Sequence, residues 1–248
     1  MTLQSTQVDL LANLWSSLQC IDLSPTIETG IPRWPTHPPV VVNPTIDHEH
    51  DGYFCQTLFM GEHTGSHVDA PAHILLSKRN RTIDTFPPDV LIAPGKVLRF
   101  AERDLEPGDL LTADDMKNAE ERSSISLNQG DVAIIDFGWM KRYWRTDRNW
   151  AWYGSNSPGL DESACTYLAD KKVRAVACDT VACDLAVVDG QPRAQPGHDT
   201  HFLPNDILIV ECLANLDQLK STCFFVAMPL KIKGGSGSPI RAIALQDG

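Results

Sequence analysis

The sequence predicts an α+β fold, and three observations support this class. Short apolar or β-branched runs of strand length occur along most of the chain, whereas few segments carry a helical pattern. At 248 residues and 42% hydrophobic composition, the chain can bury one full core or at most two small ones. It shows no internal repeat and no linker, so we expect a single domain over residues 1–248.

Three segments have the features of helices. Residues 8–18 place leucines and a tryptophan at helical spacing, which predicts a short amphipathic helix. Thr112 precedes a segment with acidic residues in its first turn, as an N-cap does. Residues 160–171 are predicted as a third helix.

The predicted strands are apolar or β-branched runs that end at turn residues. They comprise residues 20–25, 53–60, 96–100, 131–137, 173–178, 207–210, 223–229 and 240–245. Residues 31–39 are too rich in proline for regular structure. Trp34 lies on this rigid segment, where it either walls an apolar pocket or only packs the loop. Residues 140–153 have no clean period and are predicted as a loop near the pocket mouth or at an oligomer contact.

A cluster of metal-ligand side chains lies between residues 63 and 73. It holds three of the chain's eight histidines and an aspartate, namely His63, His67, Asp69 and His73. Imidazole and carboxylate groups are the ligands that hold zinc or manganese. A glycine and a proline in the stretch disfavour a helix, and in an extended strand the four side chains share parity. We therefore predict a strand ending in a tight turn, with His63, His67 and Asp69 on a metal and His73 just beyond. A histidine-rich surface loop is the alternative.

Further carboxylates follow predicted buried strands. Glu211 comes directly after the apolar run 207–210, so it must find a partner or coordinate a metal. Asp179 and Asp184 lie in the turn after the strand 173–178. They are interpreted as caps on a buried turn, with a supporting role behind the site as the alternative.

Charge, hydropathy and cysteine content indicate which partners and which cell compartment to expect. The formal charge of −11 disfavours nucleic acid, which needs clustered Lys and Arg. No apolar run approaches the length of a membrane span, and residues 1–8 lack the basic start of a signal peptide. Seven cysteines without CxxC spacing indicate reduced thiols, and a cytoplasmic protein is expected.

The cluster also resembles a family signature. Residues 63–73, HTGSHVDAPAH, resemble the HxGTHxDxPxH signature of the metal-dependent cyclase-like hydrolases, which include bacterial kynurenine formamidases and isatin hydrolases. Ser66 replaces the usual threonine and keeps its hydroxyl. Residues 207–219 resemble the family's IxIxExLxNLxxL block, in which the glutamate is a metal or active-site ligand. The resemblance implies a swivelling β/β/α fold, with a mixed β-sheet core flanked by helices.

The resemblance also implies roles for individual residues. His73 matches the general base, and Glu211 would orient water or bind a second ion. A later histidine joins that glutamate in relatives with two metals; the position matches Asp199 here, so His198, Asp199 and His201 are all candidates. One tightly held metal ion is favoured and a second is left open; zinc, manganese and iron all suit two histidines and a carboxylate, and zinc or manganese is expected. The pocket residues implied or suggested are Trp34, Phe54 and Trp139. Relatives are commonly homodimers or homotetramers.

The predicted function is a metal-dependent hydrolase that cleaves a small, aromatic carboxamide or cyclic amide with metal-activated water, as arylformamidases and isatin hydrolases do. The alternatives are a metal-dependent cyclase, dehydratase or lyase on the same scaffold, and a non-catalytic metal or ligand-binding protein. No Gly-x-Ser-x-Gly element is present, which counts against a serine hydrolase. Cys183 and Cys212 lack an adjacent histidine, so a cysteine nucleophile has no support.

Overall fold

A computed structural model describes residues 6–147 and 149–248. Its α-helices are α1 (Gln7–Ser17), α2 (His48–Asp51), α3 (Ala113–Ser123), α4 (Trp139–Tyr143), α5 (Trp150–Ser155) and α6 (Glu162–Asp170). Short 3₁₀ turns cover Pro71–His73, Leu76–Lys78, Ile83–Thr85, Leu203–Asn205 and Leu216–Gln218, and a π-helical turn covers Gly197–His201. The expectation of one domain over residues 1–248 stays a prediction, and residues 1–5 and 148 lie outside the described residues.

The strands are short, as the sequence predicts. They are β1 (Gln19–Asp22), β2 (Val41–Ile46), β3 (Cys55–Phe59), β4 (His67–Asp69), β5 (Leu91–Arg99), β6 (Leu110–Leu111), β7 (Val132–Asp136), β8 (Gly159–Leu160), β9 (Ala175–Cys178), β10 (Val187–Val188), β11 (Gln191–Pro192), β12 (Leu208–Glu211), β13 (Thr222–Ala227), β14 (Gly237–Pro239) and β15 (Ile243–Gln246).

Nine of the strands within the described residues form one mixed sheet, in the order β1-β15-β13-β5-β7-β9-β12-β4-β14. The central strands β5, β7, β9 and β12 run parallel, and the strands at both edges pair antiparallel. β7, β9 and β12 are buried along their whole length, which explains their continuous apolar sequences. The predicted α+β class with a mixed sheet and flanking helices is confirmed.

The core lies on both faces of this sheet. One layer holds Met116 of α3 and Leu168 of α6 against the sheet. The other holds Val68 of β4, Leu91 of β5 and Phe225 of β13 on the opposite face. Each parallel strand therefore contributes side chains to both layers.

Helices α1, α3 and α6 correspond to the three predicted helices. Thr112 caps α3 as expected: its hydroxyl accepts from the N–H of Asp115, whose carboxylate accepts from the N–H of Thr112. The prediction of a loop over residues 140–153 is wrong, because α4 and α5 occupy most of it. These helices are short and packed around aromatic side chains, so neither shows a periodic pattern.

Two elements lie outside the core. α1 buries none of its residues, and every residue of the strand β3 in the β2–β3 hairpin is exposed. Their exposed apolar side chains include Leu10, Leu11, Leu14, Trp15, Leu58 and Phe59. None of the helices among the described residues is both long enough and apolar enough to cross a membrane.

Candidate metal centre

Three side chains of the candidate site come from two adjacent strands. β4 presents His67 and Asp69 on one face of the sheet, since they are two positions apart. The antiparallel register of β12 and β4 places Glu211 opposite His67. The Nε2 atom of His67 lies 3.3 Å from Oε2 of Glu211 and 3.6 Å from Oδ1 of Asp69. Potential ligand atoms of the three residues all lie within 4.8 Å of one another.

His63 and His73 form a second group with Asp69. The Nδ1 atom of His63 lies 2.6 Å from Oδ1 of Asp69. His73 ends the 3₁₀ turn after β4, and its ring centroid lies 4.0 Å from that of His63. Potential ligand atoms of these residues also lie within 4.8 Å of one another. The structure thus brings together all four side chains singled out in residues 63–73, although only residues 67–69 form a strand.

His198 is the later histidine that reaches the site. Its Nε2 lies 3.3 Å from Oδ2 of Asp69 and 3.8 Å from Oε1 of Glu211. Its Nδ1 lies 2.6 Å from Oδ1 of Asp184, whose other oxygen accepts from the backbone N–H of His198 at 2.9 Å. A carboxylate behind a histidine ring fixes its tautomer and its orientation, as is common around metal ligands.

The other two candidates in this segment lie elsewhere. The side chain of Asp199 is exposed and accepts a hydrogen bond from Gln195. His201 pairs with Glu162 of α6, at 2.5 Å between Nε2 and Oε1. In the π-helical turn 197–201, His198 is buried on the side of the site, whereas Asp199 is exposed.

Glu211 shows that the site suits a cation. Its Oε1 atom is fully buried and has no hydrogen-bond partner among the described residues. Burial, and then the charge of Asp69, raise the pKa of Glu211 well above its ordinary value. Burial acts to raise the pKa of Asp69 too, but the neighbouring His63 and a hydrogen bond from His198 hold it well below its ordinary value. Two buried carboxylates surrounded by three imidazoles fit a divalent metal ion.

The imidazole of His73 faces the cavity of the candidate site. It makes no hydrogen bond with any residue that the structure describes, and it lines the cavity above the carboxylates. Burial lowers the pKa of His73 to about 4, against the opposing charge of Asp69. The neutral ring is therefore available to accept a proton from a bound molecule.

A cavity of about 210 Å³ opens above these groups. Trp34 lines it with Ile74, Val181 and Leu185, as expected for an apolar wall. Cys212 also lines it, but burial raises the pKa of its thiol well above the ordinary value, which disfavours a nucleophilic role.

Two predicted pocket residues lie outside this cavity. Trp139 is fully buried in the core, where its indole N–H donates to the carbonyl of Asn156 at 2.9 Å. Phe54 is 51% exposed beside the β2–β3 hairpin, with its ring near that of His48. An aromatic residue next to a motif in sequence is therefore not a guide to the pocket wall here.

Several residues around the site were missed or misjudged from sequence. Asp179 is a cap as interpreted, since it accepts the backbone N–H groups of Phe137, Trp139 and Met140. Asp184 instead supports the site through His198. Ser236 of the glycine-rich segment 233–239 contacts His63, at 2.9 Å between Oγ and Nε2. No local pattern in the sequence connects positions so far apart.

Comparison with known proteins places the chain in a family. The family model described as "Putative cyclase" matches residues 21–185. The chain belongs to this cyclase family. The isatin hydrolase of Roseibium aggregatum is 30% identical over 249 residues, covering 96% of this chain and 90% of its own. The kynurenine formamidase of Salinibacter ruber is 24% identical over 231 residues, covering 90% of this chain and 95% of its own.

A solved structure agrees with the cyclase-family assignment. The crystal structure of an isatin hydrolase bound to the product analogue thioisatinate matches with a TM-score of 0.84 at 28% identity, over 100% of both chains. The family predicted from residues 63–73 and 207–219 is confirmed, and with it the class of enzyme, a metal-dependent hydrolase.

Proposed function

We propose that this cyclase-family chain hydrolyses the amide bond of a small aromatic substrate, with a cyclic amide of the isatin type as the first candidate. The observation that carries the proposal is the buried, unpartnered Oε1 atom of Glu211 at the floor of a cavity with apolar walls. Isatin hydrolase and kynurenine formamidase are relatives over most of the chain, and both names denote enzymes that cleave an amide next to an aromatic ring.

The metal would be held by His67, Asp69 and Glu211, with Nδ1 of His63 as a further ligand beside Oδ1 of Asp69. His198 would lie against the other oxygen of Asp69. A divalent ion bound there lowers the pKa of a water molecule and polarises a carbonyl group. Zinc and manganese both suit imidazole and carboxylate ligands, and we propose one tightly held ion of either kind.

The remaining chemistry belongs to side chains that line the cavity. Trp34, Val181 and Leu185 would hold the aromatic ring and exclude bulk water from it. His73 would take the proton from the attacking water and return it to the leaving nitrogen. This assignment rests on the position of His73 in the cavity wall and on its ring nitrogens, which make no hydrogen bond within residues 6–147 and 149–248.

The first experiment measures metal content per subunit by plasma mass spectrometry, on protein purified without chelator or nickel affinity. We expect bound zinc or manganese, and the stoichiometry counts the ions. The loaded protein is then incubated with isatin and with N-formylkynurenine, and the products are weighed by mass spectrometry. A hydrolase adds the atoms of one water molecule, whereas a lyase or a dehydratase does not. Protein that neither holds nor takes up metal would overturn the proposal, and loaded protein that turns over neither amide would overturn the substrate class.

We also propose a homodimer or homotetramer located in the cytoplasm. The exposed apolar side chains of α1 and of the β2–β3 hairpin support self-association. Reduced cysteines support the location, because Cys165, Cys178, Cys183 and Cys212 are buried as free thiols.

A further inference from the structure

The glycine-rich segment 233–239 contacts the metal centre through a chain of hydrogen bonds. The carboxylate oxygen Oε2 of Glu62 accepts from the backbone N–H of Ser236 at 2.8 Å and from its hydroxyl at 2.7 Å. The Ser236 Oγ atom lies 2.9 Å from Nε2 of His63. The other ring nitrogen of His63, Nδ1, lies 2.6 Å from Oδ1 of Asp69. These contacts connect Glu62 to Asp69 through Ser236 and His63.

The direction of each hydrogen bond follows from the groups involved. A carboxylate only accepts, so the Ser236 hydroxyl must donate its single proton to Glu62. The Ser236 Oγ atom can then only accept from His63, which places the proton of a neutral ring on Nε2. The Nδ1 lone pair is left facing the carboxylate of Asp69. A proton on Nδ1 would turn this contact into a hydrogen bond, and a bound metal ion would take the place of that proton.

We propose that Ser236 is a positioning residue, which together with Glu62 fixes the tautomer of His63 so that Nδ1 is its metal-ligating atom. The inference rests on the metal centre proposed above, and it concerns the residues behind that centre rather than the reaction.

The backbone of the segment holds Ser236 in place. Its carbonyl accepts from the N–H of Ala70, directly after β4, at 2.9 Å. The next residue, Gly237, pairs with Asp69 between β14 and β4. A Cβ atom on Gly237 would lie 2.6 Å from Cε1 of His63 and 2.6 Å from the carbonyl oxygen of Val68. Only glycine lets the His63 ring lie this close to the strand, so the segment is shaped to seat that ring.

The first test compares metal affinity in two serine variants of the same segment. We expect Ser236→Ala to weaken zinc binding about 10- to 100-fold in a chelator competition, the usual effect of losing a partner behind a metal ligand. Ser238→Ala is the matched control: its buried hydroxyl bonds to the backbone of Leu230 and Pro239, and not to His63. That variant is expected to lose folding stability but to keep zinc affinity. Equal affinity of Ser236→Ala and the wild type would overturn the inference.

The second test reads the tautomer directly. The sample is zinc-loaded protein labelled with ¹⁵N-histidine, and the His63 signals are assigned by their absence from the spectrum of His63→Gln. Long-range proton–nitrogen spectra should show His63 protonated at Nε2 and coordinated at Nδ1. Coordination at Nε2 would overturn the inference even if Ser236→Ala folds poorly. Failure of the wild type to bind zinc would instead contradict the proposed function, so the two failures are distinguishable.

Discussion

At the scale of single residues, the site is defined by three buried carboxylates, and among the described residues only Glu211 has an oxygen without a hydrogen bond. Asp69 has histidines on both of its oxygens, and Asp184 has the backbone and the ring of His198. One oxygen of Glu211 lies 3.3 Å from His67, whereas the other has no hydrogen bond to the described residues and lies 3.8 Å from His198. A buried carboxylate in this position is costly to the folded chain unless a cation joins it.

Glu211→Gln should therefore change stability in opposite directions with and without metal. In chelator-treated protein we expect the free energy of unfolding of the variant to exceed that of the wild type by about 1–3 kcal/mol, because a buried carboxylate beside Asp69 is removed. The variant should then unfold at a higher urea concentration. In zinc-loaded protein the order should reverse, because a ligand is lost and the metal stabilises the folded state less. Urea denaturation followed by circular dichroism measures both. A shift of the same sign in both conditions would contradict the assignment of Glu211 as a ligand.

His73→Ala should separate metal binding from turnover. The His73 ring faces the cavity and lies 4.0 Å from the His63 ring, and its nitrogens make no hydrogen bond to the other described residues. We expect metal content to stay at the wild-type level and kcat to fall by about 10²- to 10⁴-fold, the usual contribution of a general base. His201→Ala is the control, since His201 is paired with Glu162 of α6 and does not line the cavity. Full activity of His73→Ala would refute the proposed role.

At the scale of elements, a buried aspartate starts the helix α4. Asp179 follows β9 and accepts three backbone N–H groups around the first turn, from Phe137, Trp139 and Met140. Burial, and then the charge of Asp136, raise the pKa of Asp179 to about 7, although the three N–H donors act in the opposite direction. The helix is thus held by a group that changes its charge near neutral pH.

Asp179→Asn should make the stability of the protein less dependent on pH. In the folded chain Asp179 keeps its proton up to its pKa of about 7, whereas in the unfolded chain it loses it near pH 3.9, roughly the ordinary pKa of aspartate. The unfolded state therefore binds fewer protons between these values, and the free energy of unfolding falls as pH rises through this range. We expect the free energy of unfolding of the wild type minus that of the variant, from urea denaturation, to be larger at pH 5 than at pH 8. A difference that grows with pH would contradict the raised pKa.

The elements also show which features could be predicted from sequence. The bounds of β7, β9 and α3 were predicted within a few residues. Neighbouring residues in the sequence identify each of them: a continuous apolar run for the two buried strands, and the N-cap Thr112 for the helix. α4 and α5 were missed because each is short and because they pack on each other through Trp139, Tyr143 and Trp152, a contact that no local pattern shows. The choice between His198 and Asp199 depended on how the turn 197–201 packs against the site, which adjacent residues in the sequence do not reveal. Ser236 depended on the pairing of β14 with β4.

At the scale of the whole molecule, the site joins parts of the chain that are far apart in sequence. β12 is the last of the parallel strands and β4 is the first strand of the antiparallel edge beside it, so Glu211 and His67 meet where the strand direction reverses. The turn that carries His198 and the segment that carries Ser236 approach the same two strands. A metal ion there would bind the folded arrangement alone, since the unfolded chain separates its ligands.

Helix α1 and strand β3 bury none of their residues within the chain. A single helix of this length and a two-stranded hairpin are marginal in water by themselves, and both carry contiguous exposed apolar side chains. We propose that a second copy of the chain covers both elements.

We expect light scattering to give the mass of a dimer or tetramer for the wild type, and a smaller mass for the double variant Leu11→Glu with Leu14→Glu. Leu230→Glu is the control: Leu230 is 57% exposed, as is Leu14, but lies outside both elements. A wild-type chain that scatters as a monomer at all concentrations would contradict the assembly. An unchanged mass of the double variant would contradict only the role of α1.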